Sequence, residues 1–225
     1  MKANNLIKGI MAVSLLVFTT SCDIKTSAEE RNGKQEAVDL GLSVKWASYN
    51  VGASSPKEYG GYYTWGEIEE KSYYSKDNYK YYNNSISEYI EIANNISGAE
   101  YDVAHEKWGG SWRMPTQEEV QELMNECAWK WGDYKGVAGM YVTGPNGNSI
   151  FLPAAGYRVE GKVSDVGTDA YYWSATLPKV GVLRALVESV FFEIGAHGLI
   201  FNENDTVQCR GVSRYYGLPV RAVTE

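Results

Sequence analysis

The chain is poor in cysteine, histidine, phenylalanine and proline, with three, two, five and six among 225 residues. Three cysteines cannot build the dense disulfide framework of a small secreted scaffold. There is no CxxC and no Cys/His cluster, so the sequence offers neither a zinc site nor a redox motif. His105 lies in a helical stretch and His197 between glycines, and neither has an evident nucleophile partner. A Ser–His–Asp triad, a GxSxG elbow, HExxH, a phosphate-cradling glycine loop and a dinucleotide fingerprint are all missing. Asp165 and Asp169 carry the oxygen donors that calcium takes, but they read as solvated loop acids. The expectation is therefore a non-enzymatic protein without cofactor or metal. Positive charge is also scarce, with 21 Lys and Arg against 28 Asp and Glu, a net charge of -7. Nucleic-acid binders need a basic stripe to displace counterions, so a nucleic-acid partner is not expected. No apolar run reaches the ~20 residues of a membrane-spanning helix.

What the chain has in excess is tyrosine, tryptophan and glycine, at 18, 7 and 23 residues. Its first segment is an address. Lys2 and Lys8 precede the apolar run from Ile10 to Phe18, followed by Thr19-Thr20-Ser21 and then Cys22. A basic start, a short apolar stretch and small residues before a cleavage point describe a secretory signal over residues 1–21. The cysteine placed directly after it resembles a bacterial lipoprotein signal, in which that thiol is lipidated. The pattern departs at Thr19, where such signals usually carry Leu. The other reading is an ordinary signal peptide with an incidental cysteine. Each buried methylene contributes about 0.8 kcal/mol, so two or three acyl chains on Cys22 would hold the protein at the membrane firmly. Residues 22–36 then read as the lipidated cysteine and a flexible polar tether. Loss of residues 1–21 removes two lysines and no acid, which leaves 19 cations against 28 anions and a mature net charge of -9.

The remaining residues, 37–225, read as one domain of the α+β class. Val38, Leu40, Leu42, Val44 and Trp46 alternate with polar or small residues, the period of a half-buried strand. Residues 60–66 suggest a short aromatic strand, and 71–89 a long ordered loop or insertion. Asp102 to Trp108 predicts a helix that stops at Gly109-Gly110. Thr116 and Glu119 have capping-box spacing, and Val120, Leu123, Met124 and Cys127 then recur on one helical face. Beyond residue 137 the pattern is β. A hairpin is expected from 140–143 and 149–152 around Asn146-Gly147, and a strand over 171–176. A second hairpin is expected from 187–194 and 199–201, turning at 195–198, and residues 218–223 suggest a closing strand. An exported setting permits a Cys127–Cys209 disulfide, yet their different settings favour two separate buried thiols.

Five stretches in order carry a resemblance to a known family. They are Val38-Asp39-Leu40-Gly41-Leu42-Ser43-Val44-Lys45-Trp46-Ala47, Gly109-Gly110-Ser111-Trp112-Arg113-Met114-Pro115-Thr116 and Phe151-Leu152-Pro153-Ala154-Ala155-Gly156-Tyr157-Arg158, then Tyr172-Trp173-Ser174-Ala175-Thr176 and Gly217-Leu218-Pro219-Val220-Arg221. Together they resemble the Fibrobacter succinogenes major paralogous domain, common in exported lipoproteins of Bacteroides and relatives. The resemblance implies a C-type lectin-like fold: small antiparallel sheets, two helices and long irregular loops. It also implies an outer-membrane, lipid-anchored location. The related formylglycine-generating enzymes use a cysteine pair near the C-terminus, whereas this chain has only Cys209 there. The sugar-binding motifs of calcium-dependent lectins do not occur. Trp112 and Trp173 are expected as core pillars, and Arg113 and Arg221 as braces of loops.

Dense tyrosine interleaved with glycine, serine and asparagine resembles binding paratopes, in which rigid aromatics supply contact area. Tyr62, Tyr63, Trp65, Tyr157 and Arg158 are accordingly the candidate ligand-binding residues, and Cys22 the lipid attachment site. The expected function is a tethered binding or adhesion module for glycan or protein ligands. The alternatives are a structural envelope component without a small ligand, and an enzyme related to the formylglycine-generating oxidases.

Overall fold

A computed structural model describes residues 35–178, 195–204 and 206–225. The expected signal segment, Cys22 and most of the expected tether, together with the strand expected over 187–194, lie outside the described residues. In chain order the strands are β1 Ala37–Val38, β2 Lys45–Ala47, β3 Tyr82–Asn83, β4 Glu88–Tyr89, β5 Ala128–Tyr134, β6 Val137–Thr143, β7 Ser149–Pro153, β8 Tyr157–Val159, β9 Lys162–Ser164, β10 Asp169–Trp173, β11 Ala196–Asn202, β12 Val207–Val212 and β13 Val223–Thr224. Two helices, α1 Val103–Trp108 and α2 Gln117–Glu126, complete an α+β architecture. The strands form small antiparallel sheets, β1-β2-β13, β5-β6-β7 and β10-β11-β12, with the hairpins β3-β4 and β8-β9.

Both helices start where their side chains supply caps. The Thr116 hydroxyl accepts from the Glu119 N–H, and the Glu119 carboxylate accepts from the Thr116 N–H, the reciprocal pair that satisfies two otherwise orphaned donors. Asp102 does more than cap α1. Its Oδ1 accepts from Ala104 and His105 N–H at 2.8 and 3.1 Å, and its Oδ2 from Gly98 and Met114 N–H at 2.8 and 2.7 Å. One buried carboxylate thus ties the loop before α1 to the chain entering α2.

Two large apolar clusters and a small one of Tyr62, Tyr74 and Ala155 form the core. Of the large two, one gathers Trp65, Ile96, Met114, Trp173 and Leu218 among the loops and α1. The other places Val120 and Leu123 of α2 against Met140, Leu152, Leu199 and Phe201 of the larger sheets. Arg221, 1% exposed, ties β2 to β7. Its Nε donates to Asn50 Oδ1 at 2.8 Å, and its Nη atoms donate to the Ala47 and Phe151 carbonyls at 2.9 and 2.8 Å. Arg113 takes the other role expected of these arginines. It meets Glu119 through a bidentate fork of 2.8 and 2.6 Å.

Several expectations are corrected. The alternating run 38–46 is not one strand: Val38 pairs with Trp46 across β1 and β2, so its two ends face each other. Gly41, at φ +79, and the Asp39 carboxylate that accepts its N–H make the bend between them. Residues 195–198 are not a hairpin turn. Ala196 begins β11, which pairs with β10 on one side and β12 on the other. Gly195 serves close packing there, because a Cβ would fall 2.3 Å from the Val212 carbonyl oxygen. The expected strand over 218–223 is reduced to β13 plus a bridge from Leu218 to Tyr63. Residues 60–66 make only that bridge. Trp112 is half-buried, edge-on to Trp108 at 5.3 Å, while Trp173 is the buried pillar expected. β5 is a full seven-residue strand that hydrophobic patterning did not predict. The hairpin β6-β7 forms as expected, with longer arms.

Candidate functional site

The candidate aromatic platform turns inward. Tyr62, Tyr63 and Trp65 are 4%, 2% and 0% exposed. Their polar tips and backbones are spent inside: Tyr62 OH donates to the Ala155 carbonyl at 2.6 Å, Trp65 Nε1 donates to the Ser174 carbonyl at 3.0 Å, and the Tyr63 carbonyl accepts from Trp173 Nε1 at 2.7 Å. Burial pushes the Tyr62 phenol up to about 12. These three residues present no ring face to a ligand. Tyr157 is half-buried, stacked on Tyr216 at 5.2 Å and met edge-on by Tyr171 at 5.0 Å. Arg158, next to it in β8, points to the other side and lies 4.8 Å over the Tyr62 ring. The structure thus brings Arg158 to Tyr62 but does not gather the five residues into one surface.

A concavity forms nearby from residues that sequence reasoning did not select. Three segments wall a groove of about 530 Å³: residues 66–71 after Trp65, residues 78–81 at the end of the 3-10 turn Lys76–Asn78, and residues 100–106 entering α1. The second segment is pinned from beneath, because Tyr79 is buried and its OH donates to the Trp65 carbonyl at 2.6 Å. Tyr81, 7% exposed, backs the groove behind Tyr101, 5.8 Å from it and nearly perpendicular at 88°. Glu67, 8% exposed, fixes the floor. It accepts from the Lys80 N–H at 2.7 Å and from Lys71 Nζ at 2.8 Å, while Lys71 also donates to the Asn78 carbonyl at 2.7 Å.

The groove therefore offers aromatic rings, carboxylate acceptors and the Lys80 ammonium, which lies 5.2 Å over the Tyr81 ring. Its lining holds Glu67, Glu69, Glu100 and Glu106 against Lys71 and Lys80, a formal balance of four minus two negative charges. The Glu100 carboxylate accepts from the Tyr101 hydroxyl and raises its pKa. No cysteine, histidine or serine is among the groove's lining residues. Comparison with protein-family models, with curated proteins and with solved structures gave no match. The groove must be read from its own chemistry.

The two cysteines sit elsewhere. Cys127 caps the C-terminus of α2 and Cys209 lies in β12; both are free and half-buried, a correction to the full burial expected of them. Burial pushes each thiol up to about 11, with Glu122 and Glu126 adding to the effect at Cys127 and Glu118 at Cys209. His197 Nδ1 lies 3.9 Å from Cys209 Sγ, and burial lowers the His197 pKa. That arrangement keeps thiol and imidazole neutral, the opposite of an activated thiolate–imidazolium pair. Among the described residues, no group of three His, Cys, Asp or Glu side chains is placed to hold a metal ion.

The local signal for the groove was partial. Tyr81 stands in the dense tyrosine stretch, but Glu67 looks like any polar loop residue. Tyr101 precedes the Asp102 cap with nothing in the sequence linking it to Tyr81.

Proposed function

We propose that the chain is an exported lipoprotein anchored by acyl chains on Cys22, with one C-type lectin-like domain of the Fibrobacter succinogenes major paralogous type. Its function is non-enzymatic binding of glycans in the groove lined by Glu67, Lys80, Glu100 and Tyr101. The groove itself carries the reading. Sugars are two-faced ligands, with C–H faces that pack on aromatic rings and hydroxyls that need fixed acceptors and donors. Tyr101, half-buried, supplies the ring, and Tyr81, 7% exposed, backs it edge-on. Glu67, Glu100 and Lys80 supply the polar partners, and Glu67 is already held in place by Lys71. The thiols, raised by burial and far from the groove in sequence, support a binding role over oxidase chemistry.

Glycan-array screening of the detergent-solubilised full chain, followed by calorimetry on the hits, tests the proposal. Saturable binding that Tyr101→Ala weakens about tenfold, as loss of one stacking contact with its hydroxyl predicts, supports it. Absence of saturable binding, or binding indifferent to Tyr101→Ala, overturns it.

An assembly role is favoured by a different observation: Ile86 and Ile90 flank the end of the β3-β4 hairpin at 61% and 45% exposure. Under that reading a neighbouring subunit covers this apolar knob. Sedimentation of the full chain as a strict monomer, with no co-purifying envelope protein, would refute it.

A further inference from the structure

The chain contains Asn-Gly twice: Asn32-Gly33, outside the described residues, and Asn146-Gly147, in the turn of the β6-β7 hairpin. Asparagine amides are thermolabile, and a following glycine has no side chain to shield its backbone nitrogen. Asn146 and Gly147 are both exposed, so water reaches the pair.

In the folded domain the groups that would react are already spent. Asn146 Nδ2 donates to the Asp39 carbonyl at 2.9 Å and reaches the Asp39 carboxylate at 3.4 Å. Asn146 Oδ1 accepts from the Asn148 N–H at 3.0 Å, and the Gly147 N–H donates to the Gly144 carbonyl at 2.9 Å. A second amide, Asn148 Nδ2, holds the same Asp39 carbonyl at 2.8 Å. The turn is thus docked on the bend between β1 and β2. The fit is close, because a Cβ on Gly41 would stand 3.2 Å from the Pro145 side chain and one on Gly144 would collide with the Leu40 carbonyl oxygen. Leu40 itself is fully buried.

Docking decides whether the amide can react. Asn146 Cγ must meet the Gly147 nitrogen, so Nδ2 has to leave Asp39 and the Gly147 N–H has to leave Gly144. The Gly147 nitrogen then bonds to Cγ, the Cγ–Nδ2 bond breaks, and Nδ2 departs as ammonia with the Gly147 proton. Water opens the resulting succinimide at either carbonyl, leaving aspartate or isoaspartate. Either product puts an oxygen anion where a donor stood, opposite the Asp39 carbonyl and carboxylate. Acceptors then face acceptors and like charges face each other, which opposes redocking.

We propose that Asn146 is a self-modification site, kept inert while its turn is docked on Asp39, and that its loss of ammonia releases the β1–β2 bend irreversibly. Water is the only co-reactant. Because β1 begins at Ala37, the released bend is the one that seats the start of the domain.

The test follows conversion of Asn146 in the detergent-solubilised full chain, folded and in urea, by mass spectrometry of the peptide spanning 144–148 in mildly alkaline buffer. Conversion should be about tenfold or more slower in the folded chain, because it tracks the open population of the turn. Asn148→Ala removes the second hold on Asp39 and leaves Asn146-Gly147 intact, so this variant should convert several-fold faster than wild type when folded. Asn146→Asp, the direct product, should unfold at lower urea than Asn146→Ala, which loses the donor without adding charge. Equal rates in folded and unfolded wild type, or folded Asn148→Ala no faster than wild type, overturn the protected site. Asn146→Asp as resistant to urea as Asn146→Ala overturns the irreversible release. If Asn148→Ala fails to fold, the wild-type rates and the two Asn146 variants decide between them.

Discussion

Replacing Arg221 by methionine tests how the core is organised. Arg221 is fully buried, faces no carboxylate among the described residues and is held by three neutral acceptors at 2.8–2.9 Å. Two opposing effects decide the outcome. Desolvating a guanidinium is costly, and burial pushes the Arg221 pKa down to about 10. Methionine would relieve that cost and keep most of the volume. Against this, it would strand the Ala47 and Phe151 carbonyls and Asn50 Oδ1 in a site closed to water. Each orphaned acceptor costs about 1–3 kcal/mol, and loss of one side of a buried charged network typically costs about 3–5 kcal/mol. Asn50 cannot easily compensate, because its Nδ2 already donates to the Tyr59 carbonyl at 2.8 Å. The expected net effect is a loss of roughly 3–5 kcal/mol, or a drop in Tm of roughly 6–20 °C for a domain of this size. Urea denaturation followed by tryptophan fluorescence, alongside thermal circular dichroism, measures it. A variant as stable as wild type, or more stable, would show that the desolvation cost dominates and that Arg221 does not hold β2 to β7.

Three further outcomes follow from single groups. Asp102→Asn would turn an amide NH2 toward two of the four N–H donors that Asp102 accepts, and a loss of about 2–4 kcal/mol is expected in denaturant titration; unchanged stability would refute the staple role. Burial alone would raise the Glu119 carboxyl, but the Arg113 fork and the Thr116 N–H outweigh it and hold the pKa below its ordinary 4.5. A depressed acid gives stability that is present above that value and lost as pH falls through the lower folded-state pKa, so Glu119→Gln should flatten the stability–pH curve below about pH 4.5; an unchanged acid limb counts against the fork. Cys22→Ser should move the protein from the membrane fraction to the soluble fraction, and unchanged retention would sink the lipid anchor.

The elements legible in the sequence were those whose cause is local. Thr116 and Glu119 announce α2 because both halves of a capping box lie within one turn, and α1 was readable from its Ala, Lys and Glu content and its stop at Gly109-Gly110. Hairpin β6-β7 was readable because its turn residues tolerate positive φ and its arms alternate. The run 38–46 misled because alternation does not distinguish one strand from two short ones folded face to face. The glycines at 195–198 misled because a glycine needed for close approach looks the same as one needed for a turn.

The tyrosine excess that dominates the composition divides along the same line. By itself the sequence determined that aromatic rings with polar tips crowd residues 62–82 and that the domain is α+β. Only the tertiary structure decided which rings face inward. A tyrosine hydroxyl is satisfied as well by a buried carbonyl as by water, so Tyr62 and Tyr79 spend theirs inside on Ala155 and Trp65. Tyr101 reaches the groove wall because a contact across twenty residues sets it against Tyr81. No local pattern encodes that choice, because burial of an amphipathic ring depends on which acceptors the distant chain brings to it.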